Sequence, residues 1–280
     1  MTTVTRFAPS PTGHPHLGHA HSALFGWRTA HAESGRFLLR IEDIDPNRCR
    51  REFERDLMED LRWLGLEWEQ PVRRQSEHLE DYRAALDRLT GMGVVYPCFC
   101  TRKDIEAEIA AAGHAPHGPD GPLYPGTCRA LPTETRTTRI AEGRPYALRL
   151  DVRRAMDLTG PLTWTDRAAG KVPATPDTLG DVVLARRDIP TSYHLSVTVD
   201  DDLQGVTVVT RGADLFHATH LHRLLQALLG LTVPEYHHHR LLTNERGERL
   251  AKRDRAQSLR SLREDGHSPT EVRAMAGFPD

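Results

Sequence analysis

A proline-rich stretch near the start of the chain, RFAPSPTGHPHLGH at positions 6–19, contains three histidines, and two of them, His16 and His19, are three positions apart at its end. The prolines oppose regular structure until about His16, after which the residues favour a helix. His16 and His19 would share one face of its first turn, where both could donate hydrogen bonds to a phosphate. Gly18 would let a ring or a backbone approach closely. The stretch therefore predicts an anion site at a helix N-terminus, although an isolated HxGH pattern is also compatible with an ordinary surface loop.

A second set of candidates consists of charged residues at the ends of apolar segments. Glu42 follows FLLRI, and Arg211 follows VTVVT. Both segments are typical of buried parallel strands, whose carboxyl ends meet at one edge of a sheet. A guanidinium at that edge would give a substrate carboxylate a bidentate partner, whereas an ammonium would give only a point charge. The alternatives are that Glu42 caps the following helix and that Arg211 lies on the surface.

Three cysteines have a spacing that suits a metal. Cys98-x-Cys100 is separated from Cys128 by a loop rich in glycine and proline. Zinc favours four ligands, usually thiolate and imidazole, so residue chemistry alone favours His114 or His117 as the fourth. The cysteines could also be small buried side chains without a metal. The sequence therefore predicts a zinc site but leaves its fourth ligand open.

The histidine run and the fourth cysteine are not expected to bind a metal. His237, His238 and His239 would alternate between the two faces of a strand, and Cys49 lies far from the other cysteines along the chain. The segment 240–263 has eight basic residues against three acids, and it contains Lys252, one of only three lysines. This segment is the local patch that we expect to attract polyphosphate or RNA.

The composition is that of a soluble protein without a membrane segment. The chain has 280 residues, 38% of them hydrophobic, and a formal net charge of −2. One large or two small domains are therefore expected. No apolar run approaches the roughly 18 residues of a membrane helix, and the first residues do not have the pattern of a signal peptide. We expect a cytoplasmic monomer with no membrane partner.

Alternating strand and helix patterns must position these candidates. Apolar strands followed by helices, early and late in the chain, predict an α/β fold with a doubly wound parallel sheet of the Rossmann type. Short strands and Gly/Pro turns between them indicate an insertion, which includes the cysteines. The predicted divisions are residues 1–96 and 191–239 for the two halves of the domain with the parallel sheet, 97–190 for the zinc-containing insertion, and 240–280 for a basic loop and a short helical end.

The stretch 6–19 resembles the signature of class I glutamyl-tRNA synthetases, with HLGH at 16–19 matching their HIGH motif. The resemblance implies that ATP is bound by His16, Gly18, His19 and Lys252. It assigns catalysis to His16, His19 and Lys252, and the α-ammonium of glutamate to Glu42. The full set of implied glutamate contacts is Arg6, Phe7, Ala8, Pro9, Ser10, Glu42, Tyr193 and Arg211.

The segment RLAKR at 249–253 occupies the place of the family's KMSKS loop, whose lysine follows the ATP phosphates during activation. Lys252 keeps that position. Arg249 replaces the first lysine and Ala251 replaces the serine, so one phosphate hydrogen bond would be missing or would come from a backbone N–H. The resemblance also implies that the insertion corresponds to the domain that meets the acceptor end of a tRNA.

The cysteine spacing resembles the zinc site of shortened paralogues within this family, in which a tyrosine is a ligand. On this resemblance alone, the predicted ligands are Cys98, Cys100, Tyr124 and Cys128. Little sequence follows position 263, which agrees with paralogues that lack the anticodon-binding domain. The implied function is activation of L-glutamate with ATP and magnesium and transfer to queuosine in the anticodon of tRNA(Asp), with one structural zinc. The alternatives are a truncated synthetase that charges tRNA(Glu) and a non-catalytic zinc protein that binds nucleotide or RNA.

Overall fold

A parallel sheet lies at the centre of the molecule. The computed structural model describes residues 2–111, 117–119, 121–242 and 257–279. Within these ranges the strands are β1 Val4–Phe7, β2 Arg36–Ile41, β3 Glu69–Arg74, β4 Val95–Cys98, β5 His117–Gly118, β6 Gly121–Pro122, β7 Ala147–Leu150, β8 Thr163–Asp166, β9 Gly170–Pro173, β10 Val183–Ala185, β11 Val208–Gly212 and β12 Glu235–His239. Strands β1, β2 and β3 are parallel neighbours, and β11 and β12 form a second parallel pair.

Helices cover this sheet and connect its strands. They are α1 Leu17–Ala32, α2 Arg51–Trp63, α3 Leu79–Gly91, α4 Arg102–Ala111, α5 Thr133–Ala141, α6 Val152–Thr159, α7 Tyr193–Leu203, α8 Ala218–Leu229, α9 Leu259–Glu264 and α10 Pro269–Met275. One buried cluster joins α1 and β2 to α2, α9 and α10, and another joins α3 and α6 to α7 and α8. No helix in the described part of the chain combines the length and the apolar character needed to span a bilayer.

The two halves of the sheet meet between β1 and β11. The N–H of Thr207 donates to the carbonyl of Val4 over 3.0 Å, and the Thr207 hydroxyl accepts from the Val4 N–H at 2.8 Å. In a doubly wound sheet, the crevice where the strand order reverses is the usual ligand site. The predicted α/β fold with a parallel sheet is confirmed, and its ligand-binding edge follows β1 and β11.

The region between the two halves contributes to two sheets. Strands β4, β7 and β10 form an antiparallel sheet of their own. Strand β8 instead pairs in parallel with β12, and its other edge pairs with β9 in antiparallel orientation. Residues 163–173, inside the predicted insertion, therefore extend the parallel sheet and bring Asp166 opposite Tyr236.

Helix α1 packs closely over the sheet because it has a glycine at the point of contact. A Cβ at Gly26 would lie 2.8 Å from the Thr210 hydroxyl and 3.2 Å from the Phe37 ring. The later part of the chain returns to the beginning of the same helix, where the N–H of Leu259 donates to the carbonyl of Pro15 over 2.8 Å. The position of α1 is thus fixed from both sides.

Candidate active site

Two cavities adjoin at the carboxyl edge of the sheet. The smaller has a volume of about 460 Å³ and the larger about 570 Å³. Ser10, Glu42 and Tyr193 line both, so a ligand could extend from one cavity into the other. Of the residues predicted from the sequence, the smaller cavity is lined by Arg6, Phe7, Ala8, Ser10, His16, Gly18, His19, Glu42, Tyr193 and Arg211.

The two signature histidines form the N-terminal cap of α1. The Nδ1 atom of His16 accepts from the N–H of Gly18 at 3.1 Å, and Nδ1 of His19 accepts from the N–H of His16 at 3.2 Å. Because each Nδ1 is an acceptor, each neutral ring carries its proton on Nε2. The capping box therefore presents two N–H donors beside the cavity.

The missing side chain of Gly18 makes this cap possible. A Cβ at that position would lie only 3.0 Å from Cε1 and 3.1 Å from Nδ1 of the His16 ring. The sequence predicted close approach to Gly18, and in the structure the approaching group is this imidazole. His16 also forms an isolated β-bridge with Ser258, so the later part of the chain supports the same cap.

Glu42 is a buried acid whose charge is poorly compensated. It is only 7% exposed, and its enclosed Oε1 atom has no hydrogen-bond partner in the described part of the chain. The guanidinium of Arg40 lies 3.9 Å away, beyond hydrogen-bonding distance. Burial raises the pKa of Glu42 to about 7. Because Glu42 lines both cavities, its carboxylate can accept a hydrogen bond from a cationic ligand there.

Arg6 and Arg211 both reach the smaller cavity, but their surroundings differ. The guanidinium of Arg6 donates to both carboxylate oxygens of Asp201, at 3.0 and 3.3 Å, and to the carbonyl of Thr210 at 2.9 Å. Its charge is therefore already paired within the protein. Arg6 is a buried support of the pocket wall.

Arg211 is held entirely by neutral groups. Its Nε donates to Nε2 of His238 at 3.1 Å, and its Nη1 donates to the Tyr193 hydroxyl at 3.3 Å and to Nδ1 of His222 at 3.2 Å. The remaining nitrogen donates to the hydroxyl of Thr219. Within the described residues, no carboxylate forms an ion pair with Arg211, which is only 6% exposed. A buried guanidinium in this state favours an anionic ligand.

The histidines around Arg211 are kept neutral. Burial is the main cause that lowers the pKa of His238 and of His194 to about 4, and the positive charge of Arg211 adds to it. The same two causes hold the pKa of His222 well below its usual value. Neutral imidazoles can accept from Arg211, whereas charged ones could not. The sequence analysis missed His194, His222 and the role of His238, although the histidine-rich segments at 217–222 and 237–239 were a visible signal.

His238 is oriented from the far side by a carboxylate. Its Nδ1 lies 2.7 Å from Oδ2 of Asp166, and Asp166 is only 2% exposed. The contact fixes the ring proton on Nδ1 and leaves Nε2 as an acceptor for Arg211. Asp166 was not predicted as a site residue, because nothing in the sequence indicates that β8 joins the parallel sheet.

A buried ion cluster ties the two halves of the sheet together below the cavities. Oδ1 of Asp201 on α7 accepts from Arg40 on β2 at 2.6 Å, in addition to its bonds with Arg6. Asp200 accepts from Arg73 at 2.7 Å and from Gln75 at 2.8 Å. These partners lie about 120 to 200 positions apart in the chain, so sequence patterning gives no direct signal for them.

The cysteines and Tyr124 converge as a group. The sulfur atoms of Cys98, Cys100 and Cys128 all lie within 4.8 Å of one another. The Tyr124 hydroxyl lies 3.3 Å from the sulfur of Cys98 and 3.6 Å from that of Cys100. Zinc–sulfur bonds of about 2.3 Å in a tetrahedron would need sulfur atoms roughly 3.8 Å apart, so this donor set fits zinc. Burial is the first cause that raises the pKa of Cys100, to about 12.

The other predicted residues are not all inside the cavities. Pro9 contributes its carbonyl, which accepts from the N–H of Glu42 at 3.0 Å. Cys49 lies away from the other cysteines and lines the larger cavity. Lys252, the RLAKR segment and His114, one of the two histidines considered as a zinc ligand, lie outside the described residues.

Comparisons with known proteins identify relatives over nearly the whole chain. The family of class I tRNA synthetases (E and Q), catalytic domain, matches residues 2–276. A protein from Rhodobacter capsulatus named glutamyl-Q tRNA(Asp) synthetase is 51% identical over 98% of this chain and 100% of its own length. A protein of the same name from Nocardia farcinica is 45% identical over 96% of this chain and 82% of its own.

A solved structure shows the same arrangement of the backbone. The crystal structure of a glutamate tRNA ligase from Elizabethkingia meningosepticum, in complex with its amino acid, matches 99% of this chain with a TM-score of 0.82 and 29% identity. The match covers 60% of that protein. The chain thus spans about three fifths of the length of this structural relative.

Proposed function

The chain belongs to the class I tRNA synthetases of the glutamate and glutamine (E and Q) group and is a ligase; from this premise we propose that it activates L-glutamate with ATP and transfers it to queuosine in the anticodon of tRNA(Asp). The observation that carries the proposal is Arg211, a buried cation at the ligand-binding edge whose hydrogen-bond partners in the described residues are all neutral. The choice of RNA rests on the names of relatives that match the chain at 51% and 45% identity.

Glutamate recognition divides between the two ends of the amino acid. The γ-carboxylate would lie beside Arg211 and accept from the N–H of its Nη2 that the described residues do not use, and it would supply the negative charge that those residues do not. The α-ammonium would donate to the carboxylate of Glu42, a residue that lines both cavities. The hydroxyl of Tyr193 accepts a hydrogen bond from Arg211, and Tyr193 lines both cavities. It would therefore lie between the γ-carboxylate and the α-ammonium of the bound glutamate. A substrate with only one of these charges would leave one buried group unpaired.

Activation would take place at the cap of α1. An oxygen of the α-carboxylate attacks the α-phosphorus of ATP, which enters as its magnesium complex, and pyrophosphate leaves with the bond electrons. The Nε2–H donors of His16 and His19 and the N-terminus of α1 would stabilise the charge on the phosphate oxygens. Lys252 would add a positive charge. No protein nucleophile is needed, because the reacting groups come from the two substrates.

Transfer would use the adjoining larger cavity. A hydroxyl of the accepting nucleoside attacks the carbonyl carbon of the glutamyl adenylate, AMP leaves, and an ester forms. Ser10, Glu42 and Tyr193 border both cavities, so the activated carbonyl can face a group in the larger one. An anticodon base that is splayed from its loop can enter such a pocket.

Zinc would be structural in this scheme. Cys98, Cys100, Tyr124 and Cys128 would hold it, and it would stabilise the segment that forms one wall of the larger cavity. Tyr124 itself lines that cavity. The zinc would therefore affect the transfer site through the fold and would take no part in the chemistry.

The test compares three RNAs with one preparation of the protein. Glutamate-dependent pyrophosphate exchange reports activation, and transfer of labelled glutamate is measured with queuosine-containing tRNA(Asp), unmodified tRNA(Asp) and tRNA(Glu). We expect transfer only to the first. Charging of tRNA(Glu) with the queuosine RNA untouched would contradict the proposal and favour a truncated synthetase. No exchange with any RNA present would favour the non-catalytic alternative.

A further inference from the structure

An ordered line of hydrogen bonds connects the smaller cavity with the larger one. From Arg211 it runs through His222, whose Nε2 lies 3.1 Å from Nδ1 of His194. His194 lines the larger cavity, and Arg211 lines the smaller one. The two substrate sites are thus joined by two histidine rings.

The direction of these hydrogen bonds follows from the arginine. A guanidinium can only donate, so Nδ1 of His222 must accept. The neutral ring of His222 then carries its proton on Nε2 and donates to Nδ1 of His194. For the same reason the neutral ring of His194 carries its proton on Nε2. The tautomer of each ring is therefore set by Arg211.

The remaining N–H of His194 has no hydrogen-bond partner among the described residues. The contact with His222 is the one hydrogen bond that the described residues make to this ring, and Nε2 is not among the buried atoms that lack a partner. The atom therefore reaches accessible space, and the cavity that His194 lines is the larger one. The nearby carboxylate of Asp181 is already engaged by Tyr96 and Arg129.

We infer that His194 is a specificity-determining residue for the second substrate: its Nε2–H donates a hydrogen bond to an oxygen or nitrogen acceptor of the nucleoside that occupies the larger cavity. The inference rests on the proposed transfer to RNA. It adds that the donor is fixed in advance, because Arg211 and His222 prevent the ring from presenting an acceptor there. A nucleoside with a donor at that position would meet an N–H and bind less well.

The test uses substitutions that separate the donor from the ring. His194→Leu removes the donor, and His194→Gln offers an amide N–H near the position of Nε2. His31→Gln is the matched control, because His31 is exposed and lines neither cavity. The probe is a queuosine-containing anticodon stem-loop of tRNA(Asp), with KM and kcat for transfer measured beside the KM for glutamate in pyrophosphate exchange.

We expect His194→Leu to raise the KM for the stem-loop by about tenfold, the effect of one lost hydrogen bond of about 1.4 kcal/mol. His194→Gln should recover most of this loss, and the RNA effect should exceed any rise in the KM for glutamate. An unchanged KM for the stem-loop in His194→Leu would overturn the inference. The inference would also be overturned if both substitutions raised the KM for the stem-loop equally and raised the KM for glutamate by the same factor, since His194 would then only support Arg211.

The wild-type protein separates this inference from the proposed function. If it charges tRNA(Glu) and leaves the stem-loop untouched, the proposed acceptor is wrong, and the same variants are compared with tRNA(Glu) as the probe. A rise in the KM for that RNA in His194→Leu, with recovery in His194→Gln, would support the donor role. An unchanged value would overturn it.

Discussion

Glu42 combines deep burial with an oxygen that accepts no hydrogen bond from any residue that the structure describes, and it is the acid best placed to respond to pH. Burial raises its pKa to about 7, so it gains a proton near neutrality. The protonated form cannot attract an α-ammonium. Because kcat/KM reports the free enzyme, it is the quantity in which this proton should appear.

The first prediction is that kcat/KM for glutamate in pyrophosphate exchange falls as the pH is lowered through about 7. Glu42→Gln should lower kcat/KM by about tenfold or more at higher pH and remove this limb of the pH profile. A variant that keeps the same limb would show that another group titrates.

The raised pKa of Glu42 also affects the free energy of unfolding, and here the effect of pH is opposite to its effect on activity. The folded pKa lies above the ordinary value of 4.5, so the contribution of Glu42 to stability is present below the ordinary pKa and is lost as the pH rises through about 7. Without ligand, the stability of the wild type relative to Glu42→Gln should therefore decrease as the pH rises from 4.5 to about 7. Urea unfolding of both proteins at several pH values measures the difference.

The second prediction concerns Asp166 and His238, the pair that orients Arg211. Asp166→Asn places an amide N–H₂ opposite His238 and favours the tautomer that carries the proton on Nε2, which cannot accept from Arg211. The KM for glutamate should rise by about tenfold with a smaller change in kcat.

Two measurements distinguish this positioning role from a general loss of structure. Asp157→Asn, an exposed acid on α6, is the matched control, and thermal unfolding checks the fold of both variants. A folded Asp166→Asn protein with the wild-type KM for glutamate would rule out the role assigned to Asp166.

At the scale of elements, the site depends on how α1 and the cysteine loop are held. The N-terminus of helix α1 is capped by His16 and His19, which are also the catalytic candidates. A substitution of either histidine would therefore also remove a hydrogen bond from the helix terminus. The segment between Cys98 and Cys128 contains helix α4 and, among its described residues, only the two short strands β5 and β6, and its three thiols converge. Its stability should therefore depend on a metal.

The third prediction is that the purified protein contains about one zinc per chain and that Cys98→Ser lowers both zinc content and melting temperature, because a structural zinc site is coupled to folding. Cys49→Ser is the control, since Cys49 lies outside the cluster. Metal analysis and thermal unfolding check the result. A metal-free wild type as stable as the zinc-loaded one would refute it.

At the scale of the whole molecule, the buried ion cluster joins the halves of the sheet that form the cavities. Asp201 receives Arg6 and Arg40 from β1 and β2, although it lies on α7. Burial acts to raise the pKa of Asp201, but these two arginines hold it below its usual value. The carboxylate thus stays charged where the two halves meet.

The fourth prediction is that Asp201→Asn destabilises the whole protein by about 3 to 5 kcal/mol, because two buried guanidinium groups lose their main counter-charge. Asp202→Asn is the control, since its carboxylate accepts only the loop N–H of Thr232 and should matter by about 1 kcal/mol. Denaturant unfolding measures both. Equal midpoints for Asp201→Asn and the wild type would contradict the role of the cluster.

The sequence by itself determined the α/β fold, the family and the convergence of the three cysteines, whereas Tyr124 was predicted only from the resemblance to the family. These features depend on local patterning, on a long contiguous motif at 6–19 and on spacing within one loop. The carboxyl ends of parallel strands predicted that Glu42 and Arg211 share an edge, and the family resemblance predicted the other site residues that line the smaller cavity.

Only the tertiary structure decided how those residues are held. Arg6 proved to be paired with Asp201, and Arg211 proved to be surrounded by neutral histidines. Asp166 reaches the site because β8 pairs with β12. The physical reason is that burial and hydrogen bonding between distant segments set the charge and tautomer of a side chain, and periodicity along the chain contains no information about such contacts.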